Sequence, residues 1–179
     1  MEMKSASNLR DKSAIRFPSL NNREKTVAVV VLAALLVGAW LPERINISTS
    51  PSLQHRVFFL SKTKSTIETG DYLVFRHEDT SFTQKGLQPA NQQLIKQIGC
   101  SPGESLTQND DKKYFCNQKY LGTALATDST GRLLPTFQFI GPIPKNNYFM
   151  VGSNPRSFDS KYFGFIHAEE ILYTALPLW

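Results

Sequence analysis

Lys96 stands in the run Leu94-Ile95-Lys96-Gln97-Ile98, a β-rich and otherwise apolar stretch. A lysine in such a place either points to water, the usual case, or is held in an apolar site. Held there it loses its charge, because desolvation disfavours the ammonium form, and the neutral amine can then take a proton from a hydroxyl. The chemistry on offer is a serine–lysine dyad. A reference pKa near 10.4 leaves about one amine in a few thousand neutral at pH 7, so a working base needs its pKa lowered by roughly three, about 4 kcal/mol. Two serine-rich segments must be read together with this lysine. One is Asn46-Ile47-Ser48-Thr49-Ser50-Pro51-Ser52-Leu53, and the other runs from Gly152-Ser153-Asn154 through Ser157-Phe158-Asp159-Ser160-Lys161-Tyr162 to Phe165. Read alone, Ser52 is a solvated linker serine.

The elements that must position these residues fall into two parts. Thr26 to Pro42 carries no charge and has Arg23 and Lys25 before it and Glu43 and Arg44 after it. At 1.5 Å per residue it reaches roughly 25 Å as a helix, a slightly short membrane span. The sequence therefore divides into a cytoplasmic tail over 1–25, a transmembrane anchor over 26–42 and an extracytoplasmic domain over 43–179. The basic residues of the tail set that orientation. A cleaved signal peptide ending near Val37-Gly38-Ala39 is the rival reading. After the anchor come short β-rich runs at Arg56 to Leu60, Asp71 to Arg76, Leu94 to Gly99, Tyr114 to Cys116, Lys119 to Leu121, Thr136 to Ile140, Tyr148 to Val151, Tyr162 to Ile166 and Ile171 to Ala175. Glycines and prolines punctuate them. The pattern predicts a mostly β fold, a single N-terminal transmembrane helix followed by a twisted antiparallel domain, with an exposed loop over Glu78 to Asn91.

Of the net charge of +5, residues 1–25 hold +3 (six Lys/Arg against three Asp/Glu), which leaves only +2 for the rest. Nucleic-acid binding calls for a basic, aromatic-studded face on a folded domain, and this near balance argues against it. Cys100 and Cys116 lie outside the close-paired Cys and His clusters that build zinc sites, and no metal or other cofactor is expected. In an oxidising compartment the two cysteines either form a disulfide, closing a loop of about 16 residues and stabilising by roughly 3 kcal/mol, or remain buried thiols. His55, His77 and His167 are isolated and read as ordinary surface or core residues.

Taken in order, these segments resemble the signal peptidase I family. Gly70-Asp71-Tyr72-Leu73-Val74-Phe75 is similar to the family's Gly-Asp-x-Val-x-Phe, and Leu94-Ile95-Lys96-Gln97 with Pro102-Gly103-Glu104 keeps the spacing of its lysine box. Gly152-Ser153-Asn154 and Ser157-Phe158-Asp159-Ser160-Lys161-Tyr162-Phe163-Gly164 resemble its last box. The resemblance implies a serine endopeptidase with Ser52 as nucleophile and Lys96 as general base. It further implies an oxyanion hole from the Ser50 hydroxyl and the Ser52 N–H, Ser157 orienting the amine, and Asp159 paired with Lys161 bracing the site. Lys161 stands where the family has arginine, so a single-pronged pair is expected. Leu53 replaces a methionine, and Ser153 an aspartate.

Ser50-Pro51-Ser52-Leu53 with Arg56-Val57-Phe58, and the closing Ala175-Leu176-Pro177-Leu178-Trp179, resemble the conjugative-transfer, TraF-like branch. That branch implies an enzyme of the bacterial inner membrane with its catalytic domain in the periplasm. Its substrates would be pilin precursors of a type IV secretion system, and other conjugation machinery would be its partners. A general secretory signal peptidase I and a non-catalytic scaffold for pilus assembly are the alternatives.

Overall fold

Asn21 opens the first helix. Its carboxamide oxygen accepts the N–H groups of Arg23 and Glu24, at 2.8 and 3.3 Å, while the Glu24 carboxylate accepts the Asn21 N–H at 2.8 Å. This reciprocal capping starts the helix before the apolar run begins, so α1 spans Asn22–Trp40. The computed structural model describes residues 21–62, 66–77 and 92–179, and the loop expected over Glu78 to Asn91 lies outside the described residues. The chain divides into two units, Met1–Trp40 and Leu41–Trp179. The helical segment Asn22–Arg44 contains an 18-residue stretch of mean hydropathy 2.0 in which no residue is buried, so it is long and apolar enough to cross a membrane.

Among the described residues the second unit is built from antiparallel strands: β1 (Ile45–Ile47), β2 (Val57–Ser61), β3 (Tyr72–Arg76), β4 (Gln93–Cys100), β5 (Ser105–Gln108), β6 (Lys113–Cys116), β7 (Lys119–Thr123), β8 (Gly141–Pro142), β9 (Asn147–Val151), β10 (Ile166–His167) and β11 (Ile171–Pro177). They form a seven-stranded sheet in the order β1-β2-β11-β3-β4-β9-β10 and a four-stranded sheet in the order β7-β6-β5-β8. The mostly β architecture expected from the sequence is therefore the observed one.

Alternation along β3 and β4 splits the core. Leu73 and Phe75 pack with Ile98 and Met150, whereas Val74 packs with Phe58 and Leu60, because successive strand residues face opposite sides of the sheet. Lys96 sits across from Leu73 and in alternation with Leu94 and Ile98, so the register itself turns it onto an apolar face. A third cluster, around Cys100, Leu106, Tyr114 and Phe149, joins the two sheets. Cys100 on β4 and Cys116 on β6 are bonded there with Cα atoms 5.6 Å apart, which closes the question of free thiols. Replacing both by alanine is expected to lower the unfolding free energy by about 3 kcal/mol, measured by urea denaturation under non-reducing conditions.

Two expected strands are absent. The segment 136–140 makes no ladder. Its alternating Phe137 and Phe139 meet Phe165 edge to face, and the Phe137 N–H goes to the Lys161 carbonyl. The alternation of Phe137 and Phe139 thus accompanies partial burial without sheet pairing. Over 162–166 the chain instead forms a one-turn helix, α2 (Ser160–Phe163), before β10 begins. Asp159 caps it by accepting the Lys161 N–H, and Gly164 ends it at φ 84°, a conformation that glycine adopts freely. The short strands β1, β5 and β8 carry too few residues to show an alternation in sequence.

Candidate active site

Three pieces of chain converge on one cavity of about 240 Å³, with Ser50, Ser52, Leu94, Lys96, Ser157 and Phe158 in its lining. The loop between β1 and β2 brings the two serines. Leu53 drops into the core beneath that loop beside Val74 and Phe58, which fixes the height of the neighbouring Ser52 over the sheet. From the other side, Asn154 donates its side-chain N–H to the Pro51 carbonyl at 3.0 Å, and its backbone N–H to the Ser52 carbonyl at 3.3 Å. Asn154 was not among the residues that sequence reasoning singled out. Its only signal was its place in the Gly152-Ser153-Asn154 box.

Lys96 is 4% exposed. Its Nζ donates to the Ser157 Oγ at 3.0 Å. Burial pushes its pKa down from 10.5 to about 8; the Asp159 carboxylate pulls it back upward and the Lys161 ammonium presses it lower. A neutral amine that spends one N–H on Ser157 keeps its lone pair for another hydroxyl. Ser52, 7% exposed, has its Oγ 2.7 Å from that of Ser50. Among the described residues no acceptor takes the Ser52 backbone N–H.

Asp159 lies one turn of chain below, fully buried with Lys161. The pair is not single-pronged, contrary to the expectation from a lysine in an arginine position. The one ammonium lies 2.7 and 2.6 Å from the two carboxylate oxygens, because the helix cap and the first-turn lysine are only two residues apart. Asp159 also accepts the Gly152 N–H at 2.9 Å, tying the end of β9 to the start of α2 and fixing the turn that carries Ser157.

Gly152 leaves no room for a side chain. A Cβ there would collide with the Ser157 side chain and lie 2.6 Å from the Ser52 carbonyl oxygen. Gly152→Ala is therefore expected to displace both serines and to lower kcat/KM for peptide cleavage about a hundredfold, as steady-state kinetics would show. The histidines stay out of the cavity lining. His77 bonds Glu170 at 2.7 Å and packs on Phe163, and His55 packs against the ring of Tyr72.

The mostly β domain thus gathers hydroxyls and a buried amine around one cleft. The family described as signal peptidase, peptidase S26, matches residues 20–179. Comparison with curated proteins finds no match. Among solved structures the chain is similar to a signal peptidase I from Enterococcus faecalis V583, at 22% identity and a TM-score of 0.38, covering 64% of this chain and 98% of that one. With nearly its whole length matched, the chain belongs to the signal peptidase family, peptidase S26, and is a serine endopeptidase acting on signal peptides.

Proposed function

We propose that Ser52 is the nucleophile and Lys96 the general base of an acyl-enzyme mechanism. One observation carries the reading: a buried lysine amine with its pKa lowered to about 8, held by Ser157 and lining the same cavity as Ser52. The Lys96 lone pair takes the Ser52 proton as Oγ attacks the scissile carbonyl, and the resulting ammonium returns that proton to the departing amine. The Ser52 N–H and the Ser50 hydroxyl, which would swing from Ser52 Oγ onto the developing oxyanion, stabilise the tetrahedral intermediate. Ser157 orients the amine, while Asp159 and Lys161 hold the Ser157 turn. Water then releases the acyl group, or an internal amine resolves it into a cyclic product.

The apolar stretch 26–42, within the helical segment Asn22–Arg44, serves in this reading as a retained single-pass anchor, with the basic residues of 1–25 in the cytoplasm and 43–179 on the periplasmic face of the bacterial inner membrane. The disulfide suits that oxidising side. The substrate assigned is a pilin precursor of a conjugative type IV secretion system, on the strength of the Ser50-Pro51-Ser52-Leu53 start and the Ala175-Leu176-Pro177-Leu178-Trp179 end. Mass spectrometry of pilin precursors incubated with the wild-type protein and with Ser52→Ala tests this. Cut or circular product from the wild type alone is the expected result, and unchanged precursor in both would refute it.

A further inference from the structure

Arg156 and Phe158, on either side of Ser157, line the catalytic cavity and also a second one of about 250 Å³. The second cavity has apolar walls from Leu125, Leu134 and Tyr162, and Phe158 lies flat on Tyr162 with ring centroids 5.4 Å apart and planes 8° from parallel. Its polar end is a closed loop: Asp128 accepts the N–H groups of Thr130 and Arg132 and the Thr130 hydroxyl, and pairs with the Arg132 guanidinium at 2.7 Å. Asp128 is thus committed to Arg132. The exposed Arg156 guanidinium has no acidic partner among the described residues, so the passage between the two cavities is positive.

The chemistry decides which part of a substrate lies there. The general base must hand its proton to the leaving amine, so the leaving segment runs on the Lys96–Ser157 side of the acyl carbon. Ser157 is the residue between Arg156 and Phe158. We infer that the second cavity is a subsite for the first residues after the cut, one apolar side chain resting on Phe158 and Tyr162 and a neighbouring carboxylate pairing with Arg156. Arg156 is then a specificity-determining residue. The inference rests on the Ser52–Lys96 assignment.

The test uses the full chain in detergent micelles and a synthetic peptide library with alanine fixed at the first and third positions before the cut and the three positions after it randomised, read by mass spectrometry. Wild-type products should be enriched in peptides with an apolar and an acidic residue after the cut. Arg156→Glu should turn the acidic preference into a basic one, changing the acidic-to-basic product ratio at least tenfold, and Leu134→Arg should remove the apolar preference. No selection after the cut in the wild type, or wild-type selection retained in both variants, overturns the subsite. So does uniform loss of cleavage in a normally folded Arg156→Glu protein, since Arg156 would then act on the reaction and not on choice. If wild type and Ser52→Ala cleave alike, or neither cleaves, the dyad assignment itself fails, and the subsite with it.

Discussion

Replacing Lys96 by methionine is expected to lower kcat/KM by about a thousand- to ten-thousandfold and, at the same time, to make the folded protein more stable at pH 7. The first effect follows from loss of the proposed base. The second follows from where the amine sits: a lysine whose pKa falls from 10.5 to about 8 on folding carries, below pH 8, about 3 kcal/mol of folding cost that an apolar side chain of similar length lacks. The sign is fixed by linkage. The folded state holds the Lys96 proton less well than the unfolded state, so the cost is full below pH 8 and fades as pH rises from 8 to 10.5. Melting curves of the wild type and Lys96→Met at pH 7 and pH 10 should therefore converge at the higher pH. A variant less stable than the wild type at pH 7 would show that Lys96 contributes structure rather than reactivity.

Lys161→Met is expected to cost stability, about 3–5 kcal/mol, because it leaves the fully buried Asp159 carboxylate with only the backbone N–H groups of Gly152 and Lys161. The same change should lower activity, since Asp159 fixes the turn that presents Ser157. Pairing it with Asp159→Asn removes the uncompensated charge. The double variant should recover part of the lost stability in urea denaturation, and a simple sum of the two single losses would mean the two side chains act independently.

Both predictions depend on how the site is built, and only part of that construction was visible in the residue order. Lys96 could be found because one charge among Leu94, Ile95 and Ile98 violates the pattern of its neighbours, and the observed register buries it in alternation with Leu94 and Ile98. Ser52 could not be found that way. A serine in a polar linker has no pattern to break, and it became a candidate only through the order of the surrounding boxes. Gly152 and Asn154 escaped because their work is spatial: one leaves a space that Ser157 and the Ser52 carbonyl fill, the other bonds a loop some hundred residues earlier in the chain. Residues 162–166 read as strand because Tyr162, Phe163 and Phe165 favour β structure, yet 162 and 163 close a helical turn. The Asp159 cap, a local hydrogen bond that aromatic content does not reveal, decided it instead.

The pH dependence of kcat/KM measures the central claim most directly. A neutral amine at position 96 as the working base predicts a rise of about tenfold per pH unit below 8 and a plateau above it, since deprotonation creates the active form. A flat profile between pH 6 and 10, or a midpoint near the 6.5 of an ordinary histidine, would contradict it.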